Sequence, residues 1–112
     1  MTETTMAAQR VYRLDKFVVP HIAREEFLAR VKSVHEILRE QPGYIQDLLL
    51  EQPLSDETFN VVTLVEWRDA KSIEHARAAV MDMHKNTGCN AQETMTRLGI
   101  KADMGSYKSI QA

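Results

Sequence analysis

The sequence predicts an α+β fold in which helices cover one face of an antiparallel sheet. Two observations support this prediction: residues 43–67 contain two β-rich runs joined by a polar turn, and apolar residues recur at helical spacing on both sides of that pair. At 112 residues the chain is long enough for one core. We therefore expect a flexible tail over residues 1–9 and a single domain over residues 10–112.

The first strand and the first helix are predicted near the N-terminus. Residues 10–19 are rich in β-branched and aromatic side chains, and Pro20 ends the run. Residues 23–41 then show an amphipathic helical pattern, with acidic residues in the first turn and a Pro-Gly stop after the end. The apolar positions of this helix are Phe27, Val31, Val34 and Leu38. His21 and His35 are expected to be surface or boundary residues.

A β-hairpin is predicted from residues 43–52 and 58–67. Both of its strands carry apolar side chains on both faces, whereas the sheet of a lone domain usually keeps one polar face. Because this short chain has too few helices to cover the second face, we expect a homodimer formed by sheet-on-sheet contact. Phe59 and Val65 are assigned to that contact, and Trp67 is favoured as a residue of the dimer core.

The C-terminal half is predicted to contain two helices and a final strand. The longer helix begins after Asp69 as its N-cap and ends near Asn86, before Gly88. A capping box at Asn90 predicts a short helix, and residues 100–110 form a weaker strand. This order of elements is that of a ferredoxin-like βαββαβ fold with an antiparallel sheet. Two such sheets packed face to face form a dimeric α+β barrel.

Composition excludes several classes of protein. The 14 Lys and Arg residues nearly balance the 16 Asp and Glu residues, and no basic run is interleaved with aromatics, so we expect no nucleic-acid partner. The single cysteine, Cys89, excludes an internal disulfide and has no zinc-like neighbours. No stretch approaches the ~20 apolar residues of a membrane span, and no signal-peptide core is present. We therefore expect a cytoplasmic protein without membrane contact.

Three segments carry a more specific signal: residues 41–45 (Gln-Pro-Gly-Tyr-Ile), residues 60–67 (Asn-Val-Val-Thr-Leu-Val-Glu-Trp) and residues 69–76 (Asp-Ala-Lys-Ser-Ile-Glu-His-Ala). The Pro-Gly-aromatic turn, and the tryptophan that ends a strand before an amphipathic helix, resemble the antibiotic biosynthesis monooxygenase-like family of dimeric α+β barrels. The resemblance extends over about residues 10–110. The resemblance implies three alternatives for the function, because members of this family carry out cofactor-free oxidation of quinols or aromatic polyketides, degrade haem, or have no known activity.

Helical geometry places His84 on the apolar face of the second long helix. His84 follows Ile73 by eleven positions, which at 100° per residue leaves the two only about 20° apart around the helix. His75 falls on the opposite side and is expected to be solvated or at an interface. The resemblance implies that haem-degrading members ligate iron near the position of His84; a structural histidine and an acid/base group are the alternatives. Those members carry an asparagine and a tryptophan where this chain has Asp15 and His75, so haem degradation is disfavoured while haem binding stays open.

Asp15 is the second predicted catalytic residue, together with His84. Removing a proton from a quinol makes an electron-rich anion that reacts with oxygen, and a carboxylate with a raised pKa in an apolar pocket suits this step. The alternative use of Asp15 is an ion pair with a neighbour such as Arg13. The residues predicted to bind the substrate are Trp67, Tyr44 and Tyr107. No metal site is expected apart from a haem at His84.

The predicted function is a cofactor-independent monooxygenase that oxidises a quinol or polyhydroxylated aromatic substrate with molecular oxygen. Haem is the alternative cofactor, in a haem-binding or haem-degrading monooxygenase. The third alternative is a non-catalytic dimer that binds a small ligand, because the same fold serves that role when the polar groups of the pocket are few.

Overall fold

A computed structural model describes residues 9–87 and 91–110 of the chain. The elements are, in order, β1 (Val11–Pro20), a single 3-10 turn (His21–Ala23), α1 (Arg24–Arg39), β2 (Tyr44–Pro53), β3 (Thr58–Trp67), α2 (Ala70–Thr87), α3 (Ala91–Leu98) and β4 (Lys101–Lys108). Each predicted strand and helix is present. The predicted tail up to residue 8, the helix end at Gly88, the thiol of Cys89 and the capping box at Asn90 lie outside the described residues.

The four strands form one antiparallel sheet in the order β2-β3-β1-β4. β1 and β3 are therefore the central strands, and the register places Asp15 of β1 between Thr63 of β3 and Met104 of β4. This order and these directions confirm the predicted ferredoxin-like fold. Within the described ranges, no helix combines the length and the apolar character needed to cross a membrane.

One face of the sheet is covered by the helices and holds the hydrophobic core of the protein. Alternate side chains of β1 and β3 point toward the helices, because the strand period is two residues. The larger core cluster joins Phe17 and Phe59 of the sheet to Phe27 of α1. The rings of Phe17 and Phe27 meet edge to face, with centroids 4.9 Å apart. The buried members of the second cluster are Val65, Trp67 and Ala76.

The start of α2 is fixed by two residues that precede it. The carboxylate of Asp69 accepts hydrogen bonds from the backbone N–H and the hydroxyl of Ser72, at 2.9 and 2.8 Å, which confirms the predicted N-cap. Gly43 has a φ of +87°, and a Cβ at this position would lie 1.9 Å from Oγ of Ser72. Glycine is therefore required where the chain passes this helix and enters β2.

The assignment of Phe59 and Val65 to a subunit interface is wrong. Both side chains face the helices of the same chain and are only 6% and 4% exposed, and Trp67 beside them is 2% exposed. Alternation separates the two faces of a strand, but it does not say which face the helices cover. The outward apolar side chains of the hairpin are Leu48, Leu50, Val62 and Leu64. Leu48 and Leu50 are 47% and 52% exposed, so the prediction of a second apolar face is confirmed.

Candidate active site

A cavity of about 520 Å³ lies between the sheet and the three helices. Most of its wall is apolar and comes from every layer of the fold; examples are Phe17, Val31, Trp67, Val80 and Met95. Polar side chains that line the same space include Arg13, Asp15, His35, Thr63 and His84. A largely apolar cavity with a few convergent polar groups is the usual form of a small-molecule site.

Asp15 of β1 lines the cavity and is paired with Arg13. Nη2 of Arg13 lies 3.0 Å from Oδ1 of Asp15, so the ion pair proposed from the sequence is present. Burial raises the pKa of the Asp15 carboxyl, although Arg13, the backbone N–H of Gly105 and the charge of His35 oppose this effect. Asp15 is therefore paired and also binds a proton more readily than an exposed aspartate does.

The structure adds His35 of α1 to the cavity, so the prediction that this residue lies at the surface or the boundary is wrong. Only 5% of His35 is exposed, and its Nδ1 lies 3.4 Å from Oδ1 of Asp47 on β2. Burial lowers the pKa of His35, against the opposing effect of the Asp47 carboxylate. The sequence contained a signal for this position, because His35 follows Phe27 by eight residues and Val31 by four and so shares the apolar face of the helix.

Asp47 is held in place by two further residues. Arg39 donates hydrogen bonds from Nε and Nη2 at 2.8 and 3.1 Å, one to each carboxylate oxygen, and the hydroxyl of Tyr44 donates to Oδ2. These contacts, with Arg39 the strongest, lower the pKa of Asp47 to about 2. The carboxylate is therefore ionised at neutral pH and fixed beside His35.

The two histidines of α2 take the positions that helical spacing predicted. His84 is half-buried and lines the cavity on the same side of the helix as Ile73 and Val80, whereas His75 is exposed. If the cavity held a haem, His84 would be the side chain of α2 able to ligate its iron. Among residues 9–87 and 91–110, no group of three or more His, Cys, Asp or Glu side chains could hold a metal ion.

The three residues predicted to bind substrate are not brought together. Trp67 lines the cavity. Tyr44 packs against the edge of the Trp67 ring, with centroids 6.0 Å apart, and does not itself reach the cavity wall. Tyr107 lies on the outer face of the sheet, opposite Tyr12, and is 53% exposed. The cavity therefore unites Asp15, His84 and Trp67, and Tyr107 is outside it.

Sequence comparison shows the family to which this chain belongs. The family model described as antibiotic biosynthesis monooxygenase matches residues 12–86, which is more than half of the chain. The chain belongs to this family. No curated protein sequence is significantly similar to the chain.

Solved structures share the fold of this family member over nearly the whole chain. SnoaB from Streptomyces nogalater, described as a cofactor-independent oxygenase, is 21% identical with a TM-score of 0.69, and the match covers 94% of this chain and 97% of SnoaB. A dimeric ferredoxin-like protein from an uncultured marine organism is 15% identical with a TM-score of 0.67, covering 93% and 98%. A mutant of MhuD with two manganese protoporphyrin IX molecules bound per active site is 16% identical with a TM-score of 0.64, covering 91% and 96%. At these identities the likeness shows the fold alone.

Proposed function

We propose that this protein is a cofactor-independent monooxygenase that oxidises a quinol or another polyhydroxylated aromatic molecule with molecular oxygen. The observation that carries the proposal is a partly buried acid/base group, Asp15, in a largely apolar cavity of about 520 Å³. Such walls take up an aromatic ring, and such a group assists removal of the hydroxyl proton. Family membership and the likeness in fold to SnoaB, described as a cofactor-independent oxygenase, support this chemistry.

Proton removal is the step that the side chains assist. The O–H bond of the substrate breaks, the proton passes to a protein base, and the electron pair stays on the substrate oxygen, from which it is delocalised into the ring. The anion then forms a C–O bond with oxygen, and loss of water from the resulting hydroperoxide leaves a quinone that retains one oxygen atom. Asp15 and His84 are the proposed acid/base groups because they line the cavity from the sheet and from α2. The cavity-lining cations that favour the anion are Arg13, Arg30 and Arg77.

Trp67 is proposed to contact the substrate ring, because it lines the cavity and is fixed by its burial. Tyr44 is assigned a supporting position, since its ring packs against Trp67 rather than on the wall. Tyr107 has no place in this cavity and is not part of the proposed substrate site.

Oxygen uptake by the purified protein with a panel of quinols tests the proposal. We expect uptake faster than autoxidation for at least one quinol, and Asp15→Asn should lower kcat/KM by about 10²-fold or more. His75→Asn is the control because His75 is exposed and does not line the cavity. If no quinol is consumed faster than it autoxidises, the enzyme proposal fails; binding without turnover would favour the non-catalytic ligand-binding dimer.

Haem is a second candidate ligand because His84 offers an imidazole to the same cavity. MhuD, which shares the fold, is described with manganese protoporphyrin IX bound. Two features argue against haem degradation by this chain: Asp15, held by Arg13, has no amide hydrogen to donate, and the exposed His75 lies where the resemblance to haem-degrading members implies a tryptophan. The second candidate function is therefore haem binding without efficient haem degradation.

We also propose that two copies of the chain pack through the outer face of the sheet. Leu48 and Leu50 are about half exposed on that face, and apolar patches of this kind mark interaction sites. One protein of the same fold is described as dimeric.

Three further expectations remain predictions from the sequence. They are a single domain over residues 10–112, a cytoplasmic location and the absence of a nucleic-acid partner.

A further inference from the structure

A histidine and an aspartate face each other on the α1 side of the cavity. Nδ1 of His35 lies 3.4 Å from Oδ1 of Asp47, and the same imidazole lines the cavity. With Nδ1 turned to the carboxylate, Nε2 is the ring nitrogen left to meet a ligand. We infer that His35 accepts the hydroxyl proton of the aromatic substrate through Nε2, with Asp47 as the positioning residue behind it, an inference that rests on the proposed function.

Asp47 suits this role because its carboxylate cannot rotate away. Arg39 binds both of its oxygens and Tyr44 donates to Oδ2, so Oδ1 is presented to His35. An ionised carboxylate 3.4 Å from Nδ1 favours the tautomer with its proton on Nδ1, which leaves the lone pair of a neutral imidazole on Nε2. The resting subunit therefore favours the tautomer that a base at the cavity wall needs.

Burial favours the neutral form of His35 at rest, and the carboxylates around it stabilise the ring once it is protonated. Burial has the largest effect and lowers the pKa of His35; Asp47 and Asp15 raise it, and Arg39 acts in the same direction as burial. The titratable or charged groups that line the cavity from α2 are Arg77 and His84. At rest the imidazole is neutral, and the imidazolium formed by proton transfer interacts favourably with two carboxylates.

Asp15 shares the cavity, but its carboxylate already accepts hydrogen bonds. Arg13 donates to Oδ1 at 3.0 Å, and the backbone N–H of Gly105 is a further donor. Asp15 keeps its acid/base role, which its raised pKa favours, but these donors occupy its oxygens and leave His35 as the acceptor of the first hydroxyl proton. In the transfer step, the substrate O–H bond breaks, the proton binds Nε2 of His35, and the electron pair stays on the substrate oxygen.

Binding of a nitrocatechol tests this step without turnover, because its phenolate form absorbs visible light and its neutral form does so weakly. At a pH below the pKa of the free nitrocatechol, we expect the phenolate band to appear when the wild-type protein binds it. His35→Asn should lower the bound phenolate-to-phenol ratio at least about tenfold, which corresponds to one pKa unit. The matched substitution His75→Asn, on the exposed side of α2, should leave the band unchanged. A band of wild-type size in His35→Asn, or no band with the wild-type protein, overturns the inference.

A second measurement uses the unmodified protein. The ¹⁵N NMR signals of the imidazole nitrogens report the tautomer of each histidine, and the signal lost in His35→Asn assigns His35. We expect a neutral ring with its proton on Nδ1 at neutral pH; an imidazolium, or a neutral ring with its proton on Nε2, overturns the inference. Asp47→Asn should shift the tautomer ratio toward Nε2–H, an effect that a purely structural role for Asp47 would not produce.

The outcomes also separate this inference from the proposed function. Quinol-dependent oxygen uptake that persists at the wild-type rate in His35→Asn retains the monooxygenase and overturns the role of His35. Failure of every quinol, together with ionisation of nitrocatechol that depends on His35, removes the monooxygenase proposal and supports His35 as the proton acceptor for a bound hydroxyaromatic ligand.

Discussion

The hydroxyl of Tyr44 donates a hydrogen bond to the carboxylate of Asp47, although the two residues lie three positions apart on one strand. In a regular strand, side chains three positions apart point to opposite faces of the sheet. The pairing of β2 with β3 is irregular between Tyr44 and Gln46, and this bulge places Asp47 on the same face as Tyr44. The bulge therefore turns the ionised carboxylate of Asp47 toward His35 and Arg39.

Asp47 should make the stability of the fold depend on pH in acid solution. Hydrogen bonds from Arg39 lower the pKa of Asp47 from 3.8 to about 2. A depressed folded-state pKa contributes its full stabilisation above about pH 4, and the contribution is lost as the pH falls toward 2, because the unfolded chain takes up the proton first. The free energy of unfolding of the wild-type protein should therefore fall more steeply across this window than that of Asp47→Asn.

Urea denaturation at a series of pH values measures this difference. Asp56→Asn, in the exposed turn between β2 and β3, controls for the loss of one negative charge. If the free energy of unfolding falls equally steeply with decreasing pH in the wild-type protein and in Asp47→Asn, the Asp47 carboxylate is not held as the structure indicates.

Gly43→Ala should destabilise the fold more than the same substitution at Gly99. Both glycines have positive φ, +87° and +72°, so alanine costs about 1–2 kcal/mol at either position. At Gly43 the new Cβ would also lie 1.9 Å from Oγ of Ser72, whereas at Gly99 the nearest atom, in Pro20, is 3.6 Å away. Overpacking of this kind adds about 1–3 kcal/mol. If chemical denaturation gives equal losses in the free energy of unfolding for the two variants, the close approach of Gly43 to Ser72 of α2 is contradicted.

The fold was readable from the sequence because its signals are local. The helical spacing of Phe27, Val31 and Leu38, the N-cap at Asp69 and the alternation in β3 each report the conformation of one segment, and all three are present in the structure. The orientation of the hairpin was not readable in the same way. Whether Phe59 or Leu64 faces the helices depends on how the chain packs after both elements have formed.

The site could be predicted only in part, because some of its contacts depend on how separate elements pack. His84 and Asp15 could be placed on apolar faces by counting residues along one element. The contact of His35 with Asp47 joins a helix to an edge strand, and it depends on a bulge that simple alternation along β2 does not reveal. His35 itself lay at a core-facing spacing, so its burial could have been predicted and its partner could not.

Leu50→Asp should convert the proposed dimer into a folded monomer. Leu50 is 52% exposed in the subunit, so the change spares the subunit core, but it would bury an unpaired carboxylate between two sheets at a cost of several kcal/mol. Light scattering should give a mass near twice 12.8 kDa for the wild-type protein and near 12.8 kDa for the variant. Phe59→Asp should instead unfold the subunit, because Phe59 belongs to its core.

Leu54→Asp provides the matched control for this experiment, since Leu54 is 49% exposed but lies in the turn after β2. It should retain the wild-type mass. A wild-type protein that stays monomeric at micromolar concentration, or a Leu50→Asp variant that stays dimeric, would show that the outer face of the sheet is not the interface.

Haem titration tests whether His84 can hold haem iron. A Soret band of bound ferric haem should be removed by His84→Ala and retained by His75→Ala, because only His84 lines the cavity. With a reductant and oxygen present, we expect little loss of the band, since the Asp15 carboxylate, held by Arg13, has no amide hydrogen to donate, and His75 lies where the resemblance to haem-degrading members implies a tryptophan. Catalytic loss of the band with release of iron would make haem degradation the favoured activity. Absence of any Soret shift would remove haem from consideration and leave His84 to the acid/base role that the quinol assay measures.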